Sequence, residues 1–366
     1  MTEKKMGSKI EGEEYLVLHE FAKKAKEKLP KETWDYLIGA SETETTFKRN
    51  RFALDNIAFR PRVLRDVENV DLSVKLFGHK LKMPVILAPI GSMQDFVDGA
   101  GTAPTLAASE FGIMHMISST CMPGLEEVAK SVNYPKLFQL YVRGDKDWVD
   151  DNIKSAIEHN YAGICLTVDL DAYGRRERDL AKRYRTTSRQ SASGFEHQMR
   201  FSWKDIDRIK SYCDLPIIIK GIATKEDALL AVEHGVEVVY VSNHGGRQLD
   251  YGLGGLNVLP EIADAIGDNA KIIFDGGIMR GTDVVKAIAL GADCVGIGRL
   301  QGLAAAAGGT KAIVRMLELL ELEILTALRL IGVNSIFDLD KTYLSKDYSF
   351  GNLNALSAFP LIGEGY

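Results

Sequence analysis

Eight short apolar runs constrain this chain more than anything else in it. They span residues 85–88, 113–117, 137–141, 163–168, 217–220, 238–241, 272–274 and 294–297, and amphipathic, helix-like stretches separate most of them. Parallel strands buried on both faces read as near-continuous apolar runs, and parallel neighbours need a crossover between them. The pattern therefore predicts an α/β fold, a (β/α)8 TIM barrel. A doubly wound open sheet is the competing arrangement, but eight units fit the barrel count and no Gly-x-Gly-x-x-Gly follows the first run.

The segments outside this pattern are few. Residues 1–12 are polar and are expected to form a mobile N-terminus, with residues 13–366 a single domain. Leu16, Leu18, Phe21, Ala22 and Ala25 recur near helical spacing and predict an amphipathic helix over 13–28, ahead of Leu29 and Pro30. A second helix is expected around residues 34–39, so an N-terminal helical segment precedes the barrel. After the fourth run, residues 169–202 form a connection of more than thirty residues. Loops of that length inside a domain are usually functional lids or disordered segments.

Composition excludes several classes of partner. The chain has 366 residues, is 46% apolar and carries a net charge of -5, with acidic and basic residues interspersed. No basic stripe marks a nucleic-acid interface. The four cysteines, Cys121, Cys165, Cys213 and Cys294, stand far apart and mostly inside apolar runs, as reduced core thiols do. No metal-ligand spacing occurs, and no run reaches the length of a membrane span or a signal peptide. A cytoplasmic protein without a metal is expected.

In a barrel of this kind functional groups gather at the C-terminal strand ends. There the sequence converges: Pro89, Ile90 and Gly91 after the first run, Ser118 after the second, Gln139 and Tyr141 at the third, Thr167 and Asp169 at the fourth. Lys220, Ser242, His244, Asp275, Gly276, Gly277, Gly298 and Arg299 complete the ring. Any one of these fits a cap or a loop hydrogen bond. Glycines at 276, 277 and 298, each beside an expected helix N-terminus, admit a phosphate to the backbone, and Arg299 supplies a countercharge, so a phosphorylated cofactor or substrate is implied. His244 and Arg247 pair a base with a carboxylate clamp, although a lone His-x-x-Arg is more often a solvated turn.

The full string from Ser242 to Asp250, Ser-Asn-His-Gly-Gly-Arg-Gln-Leu-Asp, closely resembles the active-site signature of the FMN-dependent 2-hydroxy acid oxidising family, which includes glycolate oxidase, lactate oxidase and mandelate dehydrogenase. The resemblance extends over about residues 13–335. It implies that the phosphate belongs to FMN, that Pro89, Ile90 and Gly91 lie against the flavin, and that Ser118, Gln139, Thr167 and Ser242 hydrogen-bond its polar edge beside Lys220. It further implies that Arg176 and Arg247 hold a substrate carboxylate with Tyr36 and Tyr141, that His244 removes a proton, and that Asp169 stabilises the imidazolium. A lactate- or glycolate-like (S)-2-hydroxy acid is the expected substrate and oxygen the expected acceptor. A quinone or protein acceptor, or a catalytically silent flavin binder, are the alternatives. Members of the family are commonly homotetramers, which is the expectation here.

The chain departs from the family pattern in two informative places. Met279 stands where the first phosphate-binding arginine is usual, with Arg280 beside it as the candidate replacement, so weaker FMN retention is expected. Thr120 replaces an aromatic residue, while Tyr173 replaces a leucine common in the glycolate oxidase branch. Bulk has moved from one wall of the substrate pocket to another.

Overall fold

Eight parallel strands close into one barrel in chain order: β1 (Val85–Leu87), β2 (Met114–Ser118), β3 (Leu137–Leu140), β4 (Ile164–Thr167), β5 (Ile217–Ile222), β6 (Val238–Val241), β7 (Lys271–Phe274) and β8 (Cys294–Ile297). The computed structural model describes residues 14–346 and 356–364, so the expected mobile N-terminus at 1–12 lies outside the described residues. All residues of β1 to β4, β6 and β8 are buried, as the apolar runs require of strands covered on both faces. Register does the functional work. Ser118 pairs with Gln139 and Thr167 with Lys220, so the polar strand ends stand level at one rim.

One strand differs from its expected end. β5 continues past Lys220 to Ile222 through a register shift, with Gly221 at φ +118°. A bulge of this kind re-aims the residues around it. A side chain at Gly221 would meet Asp169 Cβ at 2.7 Å, so the bulge lets β5 pass close to the end of β4.

The N-terminal segment forms three helices, His19–Lys28, Lys31–Ile38 and Thr45–Asp55. The first starts later than its apolar spacing implies, because Glu20 Oε2 accepts from the backbone N–H groups of Leu16 (2.6 Å) and Val17 (3.0 Å) and holds them in a turn. The long connection after β4 is not irregular throughout: it folds into Glu177–Ala181, Thr187–Gln190 and Phe195–Arg200. Arg178 grips Glu44 in bidentate fashion at 2.6 and 2.7 Å, and Lys182 pairs with Asp35, which ties this connection to the N-terminal helices. Helix Arg299–Ile331 runs from the end of β8, is kinked at Gly308 and Gly309, and packs on Thr102–Phe111 and His19–Lys28. The described part of the C-terminal tail covers this flank, with Phe359 buried against the His19 ring at 5.1 Å between centroids.

A buried ion pair fastens helix Thr45–Asp55 to the β7 turn. Arg51 Nη1 and Nη2 donate to Asp283 at 2.8 and 2.7 Å, Nη1 also reaches Gly277 O, and Nε bonds Asp55. Both members are nearly inaccessible, so removing one charge strands the other in a low-dielectric setting. Asp283→Asn is expected to lower unfolding stability by about 3–5 kcal/mol. Denaturant unfolding of the two proteins side by side measures it, and an unchanged midpoint would show that the pair does not fasten the helix.

Candidate active site

The chain leaves β6 through a turn that only small or tolerant residues can follow. His244, Gly245 and Gly246 lie at φ +56°, +62° and +75°, and a Cβ on Gly246 would meet the backbone of Phe47 at 2.7 Å. Asn243 pins the turn. Its side chain accepts from Gly246 N at 3.1 Å and exchanges amide hydrogen bonds with Asn50 at 2.9 and 2.7 Å. A left-handed non-glycine residue is locally strained, and such residues cluster at functional sites.

That turn sets His244 between two partners. Nδ1 lies 3.0 Å from Asp169 Oδ1 at the end of β4, and Nε2 lies 3.4 Å from the Tyr141 hydroxyl after β3. Burial lowers the His244 pKa below its usual value, with Asp169 opposing. The imidazole is therefore neutral near pH 7 and able to accept a proton at Nε2. Burial opposes the Asp169 charge too, but His244 and Lys220 more than offset it and its pKa is lowered. Asp169 Oδ2 has no hydrogen-bond partner.

Facing His244 is a concentration of positive charge. Arg176 and Arg247 both line the cleft, and their guanidinium carbons lie 5.6 and 4.5 Å from the Tyr36 ring centroid. Burial lowers the Arg247 pKa and the neighbouring Arg176 lowers it further. Tyr36 is half-buried, which opposes its charged form, yet the two arginines pull its pKa below the ordinary phenol value. Arg247 Nη1 is fixed by the carbonyls of Tyr36 and Gly39 at 2.7 and 2.8 Å, while Arg176 Nε is enclosed without a partner. Two like charges held this close suit a shared anion.

A second set of polar groups is buried at the strand ends, with Lys220 and Asp275 reaching the cleft. Lys220 Nζ donates to Ser242 Oγ at 3.0 Å, Ser242 donates to Asp275 Oδ1 at 2.6 Å, and the Lys220–Asp275 ion pair spans 3.5 Å. Burial opposes the Lys220 charge, but Asp275 and Asp169 raise its pKa, so it stays cationic. Gln139 is completely buried with both amide atoms unpartnered, and Thr167 Oγ1 is likewise orphaned. Each such group costs about 1–3 kcal/mol when left unsatisfied. Ser118, Gln139, Thr167 and Ser242 do not themselves line the cleft; they are buried at strand ends beside Lys220 and Asp275, which do, as do Pro89, Ile90 and Gly91, and the orphaned amide and hydroxyl suit the hydrogen-bonding edge of a flat, polar heterocycle. Gly276, Gly277, Gly298 and Arg299 line one corner of the same cleft.

The sequence reading needs one correction at that corner. Arg280 does not line the cleft: its guanidinium pairs with Glu323 at 2.6 Å and donates to Ala358 O at 3.1 Å. As the residue capping helix Gly281–Ala289 it faces the long C-terminal helix instead. Met279 is buried at the cleft wall in its place. The cation that does reach this corner was not read from the sequence. It is Arg51, which lines the cleft although Asp283 and Asp55 already occupy its guanidinium. No local motif marks it, because it approaches from a helix far upstream. Ser92, the residue after Gly91, was not read either, because its role depends on partners elsewhere in the chain: it lies 3.5 Å from the Tyr36 hydroxyl and bonds Ser188 of the long connection. Thr120 and Tyr173 both line the cleft, and Tyr173 packs edge-on against Phe195 with Arg189 4.5 Å over its ring.

Comparison with known proteins agrees with this geometry. The chain matches the model of the family described as FMN-dependent dehydrogenase over residues 25–346. It is 36% identical over 352 residues to glycolate oxidase 3 of Arabidopsis thaliana, covering 90% of this chain and 95% of that one. It is 35% identical to L-lactate oxidase of a Nostoc species, covering 89% and 97%. Among solved structures, mandelate oxidase with (S)-4-hydroxymandelic acid superposes with a TM-score of 0.86 at 32% identity, covering 92% of this chain and all of the other. A mandelate oxidase variant carrying an FMN adduct superposes at 0.83. With the cleft, the orphaned polar edge and these relatives in agreement, the chain belongs to the FMN-dependent dehydrogenase family.

Proposed function

We propose that the protein oxidises a small (S)-2-hydroxy acid, lactate- or glycolate-like, to the 2-oxo acid with FMN as cofactor and oxygen as the final acceptor. The observation that carries this reading is the His244 imidazole, held between Asp169 and Tyr141 in a cleft that Arg176 and Arg247 also line. FMN supplies the two-electron acceptor. Relatives named as glycolate, lactate and mandelate oxidases support both the substrate class and oxygen.

Arg176 and Arg247 bind the substrate carboxylate, and the Tyr36 and Tyr141 hydroxyls add hydrogen bonds that fix its orientation. His244 Nε2 removes a proton as the hydroxyl-bearing carbon is oxidised. Asp169, on Nδ1, stabilises the imidazolium and keeps the ring in the tautomer whose Nε2 is the acceptor. Lys220, kept cationic by Asp275, offsets negative charge on the reduced cofactor. On the side wall Thr120 leaves room that an aromatic residue would fill, and Tyr173 with Phe195 encloses the other face. Four buried, unpaired cysteines support residence in a reducing, cytoplasmic compartment. Among the described residues no helix is long and apolar enough to cross a membrane. Exposed Leu249, Tyr251 and Leu253 beside the β6 turn support assembly into a homo-oligomer, the family's tetramer being the expected form.

The reading is tested on FMN-reconstituted protein mixed anaerobically with lactate, glycolate or mandelate. Bleaching of the flavin absorbance and its rapid return in air are expected; slow return points to a quinone or protein acceptor, and no bleaching with any acid counts against the substrate class. His244→Gln is expected to slow bleaching by about 10²–10⁴-fold with FMN still bound, the range for a lost general base. Because the His244 pKa is lowered from 6.5 and the neutral form is the base, kcat/KM should hold at neutral pH and fall only on acidification below pH 6.5. A profile that instead falls between pH 7 and 8 would argue for a different proton acceptor. Met279→Arg is expected to tighten FMN by about tenfold, the effect of one charge-assisted hydrogen bond to phosphate; titration of cofactor fluorescence measures it.

A further inference from the structure

The Lys220–Ser242–Asp275 network has a polar neighbour with no assigned role. Tyr240 precedes Ser242 by two residues on β6, so strand alternation turns both side chains to the same face. It is completely inaccessible, and its hydroxyl, which acts electrostatically on Asp275, makes no hydrogen bond of normal length and angle with any described residue. Buried tyrosine hydroxyls normally find one. A phenylalanine would fill the same space without stranding a polar atom, so packing alone does not account for the hydroxyl.

Room for that hydroxyl is made by Gly296 on β8. A Cβ there would overlap Tyr240 Oη and touch Ala88 Cβ at 3.4 Å. Gly296, Ala88, Lys220 and Asp275 all line the cleft, which places the tip of the ring directly under its floor. Lys220 Nζ is 5.2 Å from the ring centroid. Burial, with Asp275 next in weight, holds the phenol protonated well above its ordinary pKa. Asp275 Oδ1 accepts from Ser242 at 2.6 Å, while Oδ2 meets Lys220 only at 3.5 Å, so the carboxylate has lone pairs to spare for a second O–H.

We propose that Tyr240 is a positioning residue of this network, its hydroxyl donating to Asp275 and thereby setting how much of the Lys220 charge acts on bound FMN. The inference rests on the flavin reading of the cleft. A carboxylate that accepts a phenol proton offsets its lysine less, and in a low-dielectric floor that difference is felt strongly. More unopposed charge at Lys220 favours the reduced, anionic cofactor, so Tyr240 makes the flavin easier to reduce.

The test uses FMN-reconstituted wild type, Tyr240→Phe and Gly296→Ala, the last of which displaces the hydroxyl while keeping the phenol. Each is brought to redox equilibrium with a reference dye, and FMN affinity and thermal unfolding are measured on the same samples. The expected result for Tyr240→Phe is a reduced-to-oxidised flavin ratio about tenfold lower at matched dye ratio, about 30 mV for a two-electron couple. FMN affinity should stay within about twofold, and Gly296→Ala should shift the ratio in the same direction. An unchanged ratio in a folded, FMN-loaded Tyr240→Phe protein overturns the proposal and leaves Tyr240 as packing; if that variant does not fold, Gly296→Ala decides alone. Failure of the wild type to take up FMN would bring down the flavin reading and this inference together.

Discussion

The organising constraint of this protein is the burial of unbalanced positive charge. Arg176, Arg247 and Arg299 line one cleft, and burial with mutual repulsion lowers the pKa of Arg247 and lowers that of Arg299 strongly. The fold supports Arg247 and Arg299 with backbone carbonyls rather than carboxylates. Arg247 is held by Tyr36 O and Gly39 O, and Arg299 by Gly39 O at 2.7 Å and Gly245 O at 2.9 Å. Carbonyls satisfy guanidinium donors without cancelling their charge, so the cleft keeps an attraction for anions that carboxylate partners would have spent. Asp179, a buried acid that acts on Arg247 and Arg176, has its own pKa raised by burial, which weakens it as a counter-ion.

This arrangement explains why the N-terminal helices belong to the site. The loop between Lys31–Ile38 and Thr45–Asp55 supplies the Gly39 carbonyl shared by two arginines, and its Glu44 reaches the long connection through Arg178. Tyr36, Arg51 and Phe47 come from the same segment and all line the cleft. One piece of chain thus carries the cleft-lining Tyr36 side chain, the carbonyls that hold Arg247 and Arg299, and the ion pair under the β7 turn. Loss of any of these contacts acts on several functions at once.

The cleft corner at Gly276 and Gly277 shows how charges around one turn are divided among separate partners. With Met279 at the cleft wall, Arg280 is free to serve helix Gly281–Ala289 and the C-terminal helix through Glu323, and Gly281 N bonds the same carboxylate at 2.8 Å. Arg299 remains the cation there with no carboxylate directly on it. Arg51 stands close by but is bound on two sides by acids, so it shapes the corner more than it charges it.

What the sequence determined by itself was whatever depends on local pattern. The eight strands were legible because burial on both faces leaves an apolar run that polar neighbours cannot imitate, and their ends named the ring from Gly91 to Arg299. His244, Asp169, Arg176 and Arg247 were legible because the turn after β6 carries its chemistry in one unbroken string and the others match a family pattern. Tertiary structure decided what depends on approach from elsewhere in the chain. Arg51 reaches the Gly277 corner of the cleft from more than two hundred residues upstream of the turn it holds, and Arg280 is drawn off by a glutamate on a later helix. Tyr240 looked like one more apolar strand residue. Only barrel closure, which sets β6 across from a glycine on β8, puts its hydroxyl beneath the cleft, since the distance between two strands is a property of the closed sheet and of no segment within it.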